Sequence, residues 1–341
     1  MNKAACLLIM SIFTVPTVFG MQPIDSIMAK ETRTFLAGMP EGLQQRQADA
    51  VLMAVAGKYE TLGEVRNTRN TVPEISVNVK TIAVGPNLCL FRPKHTGNER
   101  RFPLLVYLHG GGWTFGSINS CTHFCDALAA TGETMVLAVD YRLAPEHPYP
   151  YGLQDCAAAF RFATEHAEEW GADTGRISIG GDSSGGNLAL ATSLYLDAKG
   201  ENMPRSLLLF YPVVKAYDDR SESWQKYGAG YGLDTTLMKA FNKAYLHSGA
   251  IHDTDFVSMA DAGDDVLAGL PPVLLVAAGK DILCDQGREF SERLDGIGID
   301  IRRIEFPQAV HLFITVPGQE TAFKEAVRLA GVYLTGLETG K

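Results

Sequence analysis

The sequence predicts an α/β fold: a mostly parallel central sheet with helices on both faces and a helical cap. Short apolar segments alternate with helical ones along most of the chain, and several are apolar throughout, as parallel strands buried on both faces are. The first two are joined through Gly85-Pro-Asn, a hairpin signal that predicts an antiparallel edge. The predicted strands are 77–84, 88–91, 102–108, 135–139, 176–180, 206–211, 273–278 and 299–306.

Helical periodicity is found between these strands and also in two further stretches of the chain. The predicted core helices are 155–169, 188–198, 285–294 and 321–335. Residues 21–70 have a helical pattern with little strand character, and residues 213–256 are aromatic, polar and partly helical. Because these two stretches break the alternation, we expect them to form a cap over the main α/β domain, which is predicted to span residues 71–341.

Composition excludes several classes of protein. With 46% hydrophobic and 20% charged residues among 341, the chain is globular. Its formal charge of −9 disfavours nucleic acid and anionic lipid as partners.

Residues 1–20 have the pattern of a secretory signal peptide. Lys3 supplies a positive start, residues 4–18 are almost wholly apolar, and Val18-Phe-Gly20 offers modest residues before a cleavage point. The apolar run is short for a membrane span, so we expect no stable membrane insertion after cleavage. The mature protein is then expected to be periplasmic or secreted; if Met21 is the true start, the expectation is cytoplasmic.

The cysteines leave the disulfide state open and do not favour a metal site. Outside residues 1–20 there are five, so at least one stays unpaired within a monomer. Cys121 and Cys125 flank His123 in a segment that looks helical, and no fourth ligand lies nearby, so packed thiols are favoured over a metal site.

A nucleophile is indicated at Ser183. Gly181, Ser183 and Gly185 stand between an apolar strand and an apolar helix, the pattern of a nucleophile elbow. A serine hydroxyl needs a base to take its proton. His311 is the best candidate, because it follows the last strand and a short loop, at the sheet edge where open α/β folds bind ligands.

The acid that orients the histidine is predicted at Asp281, which follows the strand 273–278. The rival Asp285 lies one helical turn further on and fits a helix N-cap or first-turn position. A metal shared by the two carboxylates lacks supporting ligands. The chain order Ser183, Asp281, His311 is that of an α/β-hydrolase triad.

An oxyanion hole is predicted at the triple glycine. Gly110, Gly111 and Gly112 follow a buried strand, and their N–H groups can approach a substrate without obstruction by side chains. The N–H of Ser184, directly after the nucleophile, completes the predicted set.

Five ordered motifs resemble the hormone-sensitive-lipase-like branch of the α/β hydrolases, from about residue 75 to the end of the chain. The resemblance implies an α/β-hydrolase fold and a carboxylesterase of short-chain acyl esters without cofactor or metal. It puts the nucleophile, acid and base on Ser183, Asp281 and His311, and the oxyanion hole on 110–112 and Ser184. The motifs are His109-Gly-Gly-Gly-Trp113, Asp140-Tyr-Arg-Leu-Ala-Pro-Glu-His-Pro-Tyr-Pro150, Gly181-Asp-Ser-Ser-Gly-Gly186, Asp281-Ile-Leu-Cys-Asp285 and His311-Leu-Phe313.

The sequence departs from that family at three positions and removes no catalytic group. Ser184 stands where alanine is usual, Leu312 where glycine is usual, and Gln286 where glutamate is frequent. Arg142 and Glu146 are interpreted as pairing with neighbours that hold the loop beneath the site, and Asp182 as structural.

Several alternatives stay open at this stage. The same triad fits a deacetylase of acetylated saccharides or other small molecules, and a non-catalytic ligand-binding receptor is a more remote alternative. A small-molecule ester is the expected partner, and a homodimer is one alternative for the oligomeric state. Trp224, Tyr227 and Tyr231 fit either a substrate pocket or ordinary packing of the cap.

Overall fold

The computed structural model describes residues 24–71, 73–94, 100–246 and 254–336. The predicted signal peptide lies outside the described residues. One eight-stranded sheet organises the fold. Its strands are β1 (Val79–Gly85), β2 (Leu88–Pro93), β3 (Phe102–Leu108), β4 (Met135–Val139), β5 (Ala172–Asp182), β6 (Leu207–Phe210), β7 (Val273–Lys280) and β8 (Ile301–Val310).

The strands lie in the order β1-β2-β4-β3-β5-β6-β7-β8. β1 and β2 form an antiparallel hairpin, and β2 is antiparallel to β4. Every other neighbouring pair is parallel. The predicted parallel sheet with an antiparallel edge is therefore confirmed.

Helices connect the strands and cover the sheet. They are α1 (Ile24–Ala37), α2 (Leu43–Val55), α3 (Glu60–Arg69), α4 (Ile118–Ala130), α5 (Tyr151–Trp170), α6 (Ser184–Ala198), α7 (Glu222–Lys226), α8 (Thr235–Tyr245), α9 (Thr254–Val257), α10 (Asp264–Leu267), α11 (Cys284–Gly296) and α12 (Glu320–Gly336). Within the described ranges, no helix is both long enough and apolar enough to cross a bilayer.

The central strand β3 shows why both faces of the sheet are covered. Its seven side chains are all buried. Leu104 and Val106 join a core cluster that contains residues of α5 and α6, whereas Leu105 and Tyr107 join a second cluster with residues of α4 and α12. Successive side chains of a strand point to opposite faces, so an unbroken apolar run needs a helical layer on each side.

Two predicted boundaries shift toward the sheet edge at which the site lies. β5 continues to Asp182 and α6 begins at Ser184, so Ser183 alone forms the turn between them. β8 continues to Val310 and ends directly before His311. Because both strands are longer than predicted, Ser183 and His311 each follow directly after a strand of the sheet.

The two stretches outside the alternation meet through α2 and α8. The Gln44 side chain on α2 donates to the Gly232 carbonyl (3.0 Å) and accepts from the Asp234 N–H (3.2 Å), just before α8 begins. The first helix, α1, packs elsewhere: the Thr32 hydroxyl donates to the Gln308 carbonyl on β8 (2.8 Å), and Glu31 accepts from the N–H of Thr321 on α12. Only the later part of 21–70 therefore lies with 213–256.

Candidate active site

Ser183 occupies a strained turn that neighbouring glycines make possible. Its φ of 55° and ψ of −118° are unusual for a residue with a side chain, and its N–H donates to the Phe210 carbonyl (2.9 Å). A Cβ at Gly181 would lie 2.3 Å from the Leu108 carbonyl oxygen, and one at Gly185 would lie 2.0 Å from it. The motif needs glycine at both positions because the end of β3 crosses directly behind the turn.

The three residues predicted as a triad form a chain of hydrogen bonds. Ser183 Oγ lies 3.0 Å from His311 Nε2, and His311 Nδ1 lies 2.6 Å from Asp281 Oδ2. All three side chains are almost completely buried. This arrangement can take a proton from the serine while the carboxylate holds the imidazole in one orientation.

The rival carboxylate, Asp285, belongs to a different contact network. It lies in the first turn of α11, where Oδ2 accepts from the Ser223 N–H (2.7 Å) and Oδ1 pairs with Arg288 (2.8 Å). The structure thus brings Asp281 to the histidine and leaves Asp285 to tie α7 to α11. The first-turn position is the one that the sequence predicted for it.

His311 is held in place by residues that sequence reasoning did not single out. The Gln319 side chain accepts from the Val310 N–H (2.9 Å) and donates to the His311 carbonyl (3.3 Å). The Tyr211 ring lies 4.3 Å from the imidazole, centroid to centroid. Leu312, flagged for replacing glycine, has a φ of 74° in the left-handed region. No local sequence pattern identifies Gln319, because its role depends on where α12 returns to the sheet.

The triple glycine contributes a narrower set of donors than the sequence predicted. The Gly110 N–H donates to Asp182 Oδ1 (3.0 Å), so it already has an acceptor, and the prediction of Gly110 as an oxyanion donor needs correction. The N–H groups of Gly111 and Gly112 have no acceptor within the described part of the chain. Ser184 is the first residue of α6, where an N–H has no intrahelical partner.

Asp182 explains both the shape of the glycine loop and the need for glycine at 110. Its Oδ1 accepts from the Tyr107 hydroxyl (2.9 Å) as well as from Gly110. A Cβ at Gly110 would lie 2.2 Å from Asp182 Oδ2. Complete burial raises the pKa of this carboxyl to about 6, with the two hydrogen bonds acting in the opposite direction.

A family comparison agrees with this geometry. Residues 105–315 match the model of a protein family described as having the alpha/beta hydrolase fold. The chain belongs to the α/β-hydrolase family. The matched segment runs from β3 through Ser183 and Asp281 to the loop after His311. The resemblance to the hormone-sensitive-lipase-like esterases expected from the motifs is confirmed.

Several named relatives of this hydrolase are ester hydrolases. It is 36% identical over 242 residues to the carboxylic ester hydrolase LipN of Mycobacterium tuberculosis. The aligned region covers 67% of this chain and 63% of LipN, so this chain spans slightly less than two thirds of that relative. An ethyl acetate hydrolase of Pseudomonas putida is 34% identical over 227 residues, or 66% of this chain and 70% of that protein. The solved structure of a thermostable esterase from Pseudomonas putida superposes with a TM-score of 0.76 at 25% identity, covering 90% of this chain and 96% of that one.

A cavity of about 390 Å³ opens in front of the hydrolase triad. Ser183, His311 and the three glycines lie in its wall, and α8 with the residues before it supplies an apolar side. The aromatic residues left open by the sequence are not among those that line it: Trp224 is buried in the core, and the Tyr227 and Tyr231 rings pack against each other at 4.9 Å. The apolar wall is instead formed by Leu233, Leu237, Met238 and Phe241.

Buried polar side chains fix the loops of the hydrolase around this cavity. Asn187 on α6 accepts from Trp113 Nε1 (3.3 Å) and donates to the carbonyls of Val213 and Val257 (2.9 Å each). Gln286 Oε1 accepts from the Val214 N–H (2.8 Å), while Nε2 has no partner among the described residues. A side-chain oxygen at this position is an atom that glutamine shares with glutamate. Neither role was predicted from the sequence.

The residues interpreted as structural have the expected partners. Arg142 pairs with Asp155 (2.7 Å), and Glu146 pairs with Arg66 of α3 (2.6 Å). Cys121 and Cys125 are buried thiols on α4.

Proposed function

We propose that this α/β hydrolase is a serine carboxylesterase that hydrolyses short-chain acyl esters. The observation that carries the proposal is the hydrogen-bond chain Ser183–His311–Asp281 beside the unoccupied N–H groups of Gly111, Gly112 and Ser184. The relative named ethyl acetate hydrolase supports a small ester as substrate. The cavity volume lies near the lower end of the range typical of ligand pockets, which agrees with a small substrate.

In the proposed mechanism, Ser183 Oγ attacks the ester carbonyl carbon while His311 Nε2 takes its proton. The carbonyl oxygen becomes an oxyanion and accepts hydrogen bonds from Gly111, Gly112 and Ser184. His311 then gives the proton to the departing alkoxide, which leaves as the alcohol and leaves an acyl group on Ser183. Water, deprotonated by the same nitrogen, releases the acid and restores the serine. Asp281 accepts a hydrogen bond from the Nδ1–H of His311 and stabilises the imidazolium.

Two adjacent serines allow a direct test with a matched control. Ser183→Ala removes the attacking oxygen, and we expect hydrolysis of p-nitrophenyl acetate and butyrate to fall by about 10³-fold or more. Ser184→Ala removes a fully buried hydroxyl but keeps the backbone N–H, so we expect it to stay active. Near-parental rates for Ser183→Ala, or equal loss in both variants, would refute the assignment.

The location of the enzyme is a further part of the proposal. We propose that residues 1–20 direct export and are then removed, so that the enzyme acts in the periplasm or outside the cell. N-terminal sequencing of protein expressed from the full coding sequence tests this; an intact first residue in the cell extract would contradict it. A homodimer stays an open expectation, for which light scattering of the purified protein is the test.

A further inference from the structure

Gln47 is a polar residue in the cavity wall whose side chain has no hydrogen-bond partner in the described part of the chain. It lies on α2, only 5% of its surface is exposed, and it lines the cavity that contains Ser183. Gln44, about one turn earlier, uses both ends of its amide to join α2 to the segment before α8. The Gln44 amide therefore has a structural role in joining two elements, whereas the Gln47 amide makes no such hydrogen bonds within the described chain.

An unpartnered amide in this position constrains what can fill the cavity favourably. A primary amide carries two hydrogen-bond donors and an acceptor. A substrate that excludes solvent from this amide must either hydrogen-bond to it or leave it unpaired, which is unfavourable. The alkyl chain of a simple ester offers no partner. A hydroxyl group, which both donates and accepts, suits either end of the amide.

His123 repeats this chemistry on another element of the wall. It lies on α4, its Nε2 is enclosed, and that nitrogen has no hydrogen-bond partner among the described residues. The ring is stacked on Phe323 at 4.1 Å between centroids, which fixes its plane. Two helices thus each place a residue with an unused polar group in the wall of a cavity whose α8 side is apolar, and the His123 nitrogen is enclosed within that wall.

We infer that the preferred substrates are short-chain esters that carry a hydroxyl group away from the scissile carbonyl. Gln47 is the specificity-determining residue, and His123 lies in the same cavity wall. The inference rests on the proposed esterase function and names its substrate class. The hydroxyl belongs either to the acyl or to the alcohol part of the ester, and two matched substrate pairs distinguish these cases.

Each pair replaces one methyl group by a hydroxyl of similar size. For the alcohol part, 2-hydroxyethyl acetate is compared with propyl acetate. For the acyl part, ethyl 3-hydroxypropanoate is compared with ethyl butyrate. The readout is the ratio of kcat/KM within a pair, measured by release of acid. We expect the parental enzyme to favour the hydroxylated member of at least one pair by about tenfold or more.

The decisive variant is Gln47→Met, which keeps the length and helix propensity of the side chain but loses its polar atoms. We expect it to bring the favoured ratio close to one. Gln45→Met makes the same substitution on the exposed face of the same helix and should leave the ratio unchanged. A ratio within one variant is not altered by partial loss of folded protein, so general destabilisation does not produce the expected result.

The outcomes separate the two proposals. If parental enzyme hydrolyses neither these esters nor p-nitrophenyl acetate, the proposed function itself is wrong. If it hydrolyses both members of each pair equally well, or keeps its preference in Gln47→Met, the esterase stands and this inference is overturned. A preference that disappears only in His123→Phe would also overturn the role given to Gln47.

Discussion

At the scale of single residues, Asp182 links the glycine loop to the pH dependence of stability. Its pKa of about 6 lies above the ordinary 3.8, because burial disfavours the carboxylate. Between these values the folded chain binds more protons at this site than the unfolded chain does. The site's contribution to stability is therefore complete below about pH 4 and is lost as the pH rises through about 6.

Asp182→Asn tests this linkage, since the amide oxygen can still accept from Gly110 and the Tyr107 hydroxyl but does not titrate. We expect the stability of the parental protein relative to the variant to fall by up to about 3 kcal/mol between pH 4 and pH 7, from a shift of about two pH units. Urea unfolding of both proteins across this range measures the difference. A difference that is constant with pH would contradict the assignment.

At the scale of secondary-structure elements, α3 is anchored to the loop that follows the glycines at 110–112. Arg66 Nε donates to the Thr114 carbonyl (2.8 Å) and Nη2 to the Ala144 carbonyl (2.9 Å). The same guanidinium pairs with both oxygens of Glu146. One side chain thus joins the N-terminal helices to two loops beneath the site.

Arg66→Met keeps the aliphatic stem and removes these four hydrogen bonds. We expect a loss of about 1–3 kcal/mol in the free energy of unfolding, because charge-assisted bonds to partly enclosed carbonyls are lost. We also expect a lower kcat/KM, since the loop that carries Gly111 and Gly112 loses a support. Urea unfolding and ester kinetics measure the two effects.

The matched control is Arg100→Met. Arg100 pairs with Glu133 while both side chains are about half exposed, so its loss should cost at most about 1 kcal/mol and leave kcat/KM unchanged. Equal effects of the two substitutions would show that Arg66 acts as an ordinary surface ion pair.

At the scale of the whole molecule, the site lies between one sheet edge and the α2–α8 pair, and we expect this enclosure to limit substrate size. A Cβ at Gly112 would lie 2.1 Å from the Phe241 ring, so α8 touches the glycine loop directly. We expect kcat/KM to be highest for p-nitrophenyl esters from acetate to butyrate and at least about tenfold lower for octanoate.

Phe241→Leu shortens the residue that limits this space, and the optimum should move toward longer chains. A series of p-nitrophenyl acetate, butyrate, octanoate and palmitate measures the profile for both proteins. Rates that rise toward palmitate in the parental enzyme would contradict the size limit.

Local chemistry explains which features could be predicted from the sequence. Apolar strands, the glycines around Ser183 and the positions of Asp281 and His311 after strands are encoded within short segments, so the fold and the predicted triad followed from them. Asp182 beneath Gly110 was not predictable, because the contact joins positions 72 residues apart. The unused amide of Gln47 likewise depends on how α2 docks against α8.

The close contact of Gly181 and Gly185 with Leu108 means that substitutions are tolerated differently in different parts of the protein. Around Ser183 even one added carbon collides with the backbone of the neighbouring strand, so random variation there should yield inactive protein far more often than new selectivity. The helices α2 and α8 carry side chains that line the cavity and make no hydrogen bond to the triad side chains of the described chain. We therefore expect random mutagenesis confined to those two helices to alter substrate preference more often than it abolishes activity, because the triad and its turn stay unchanged.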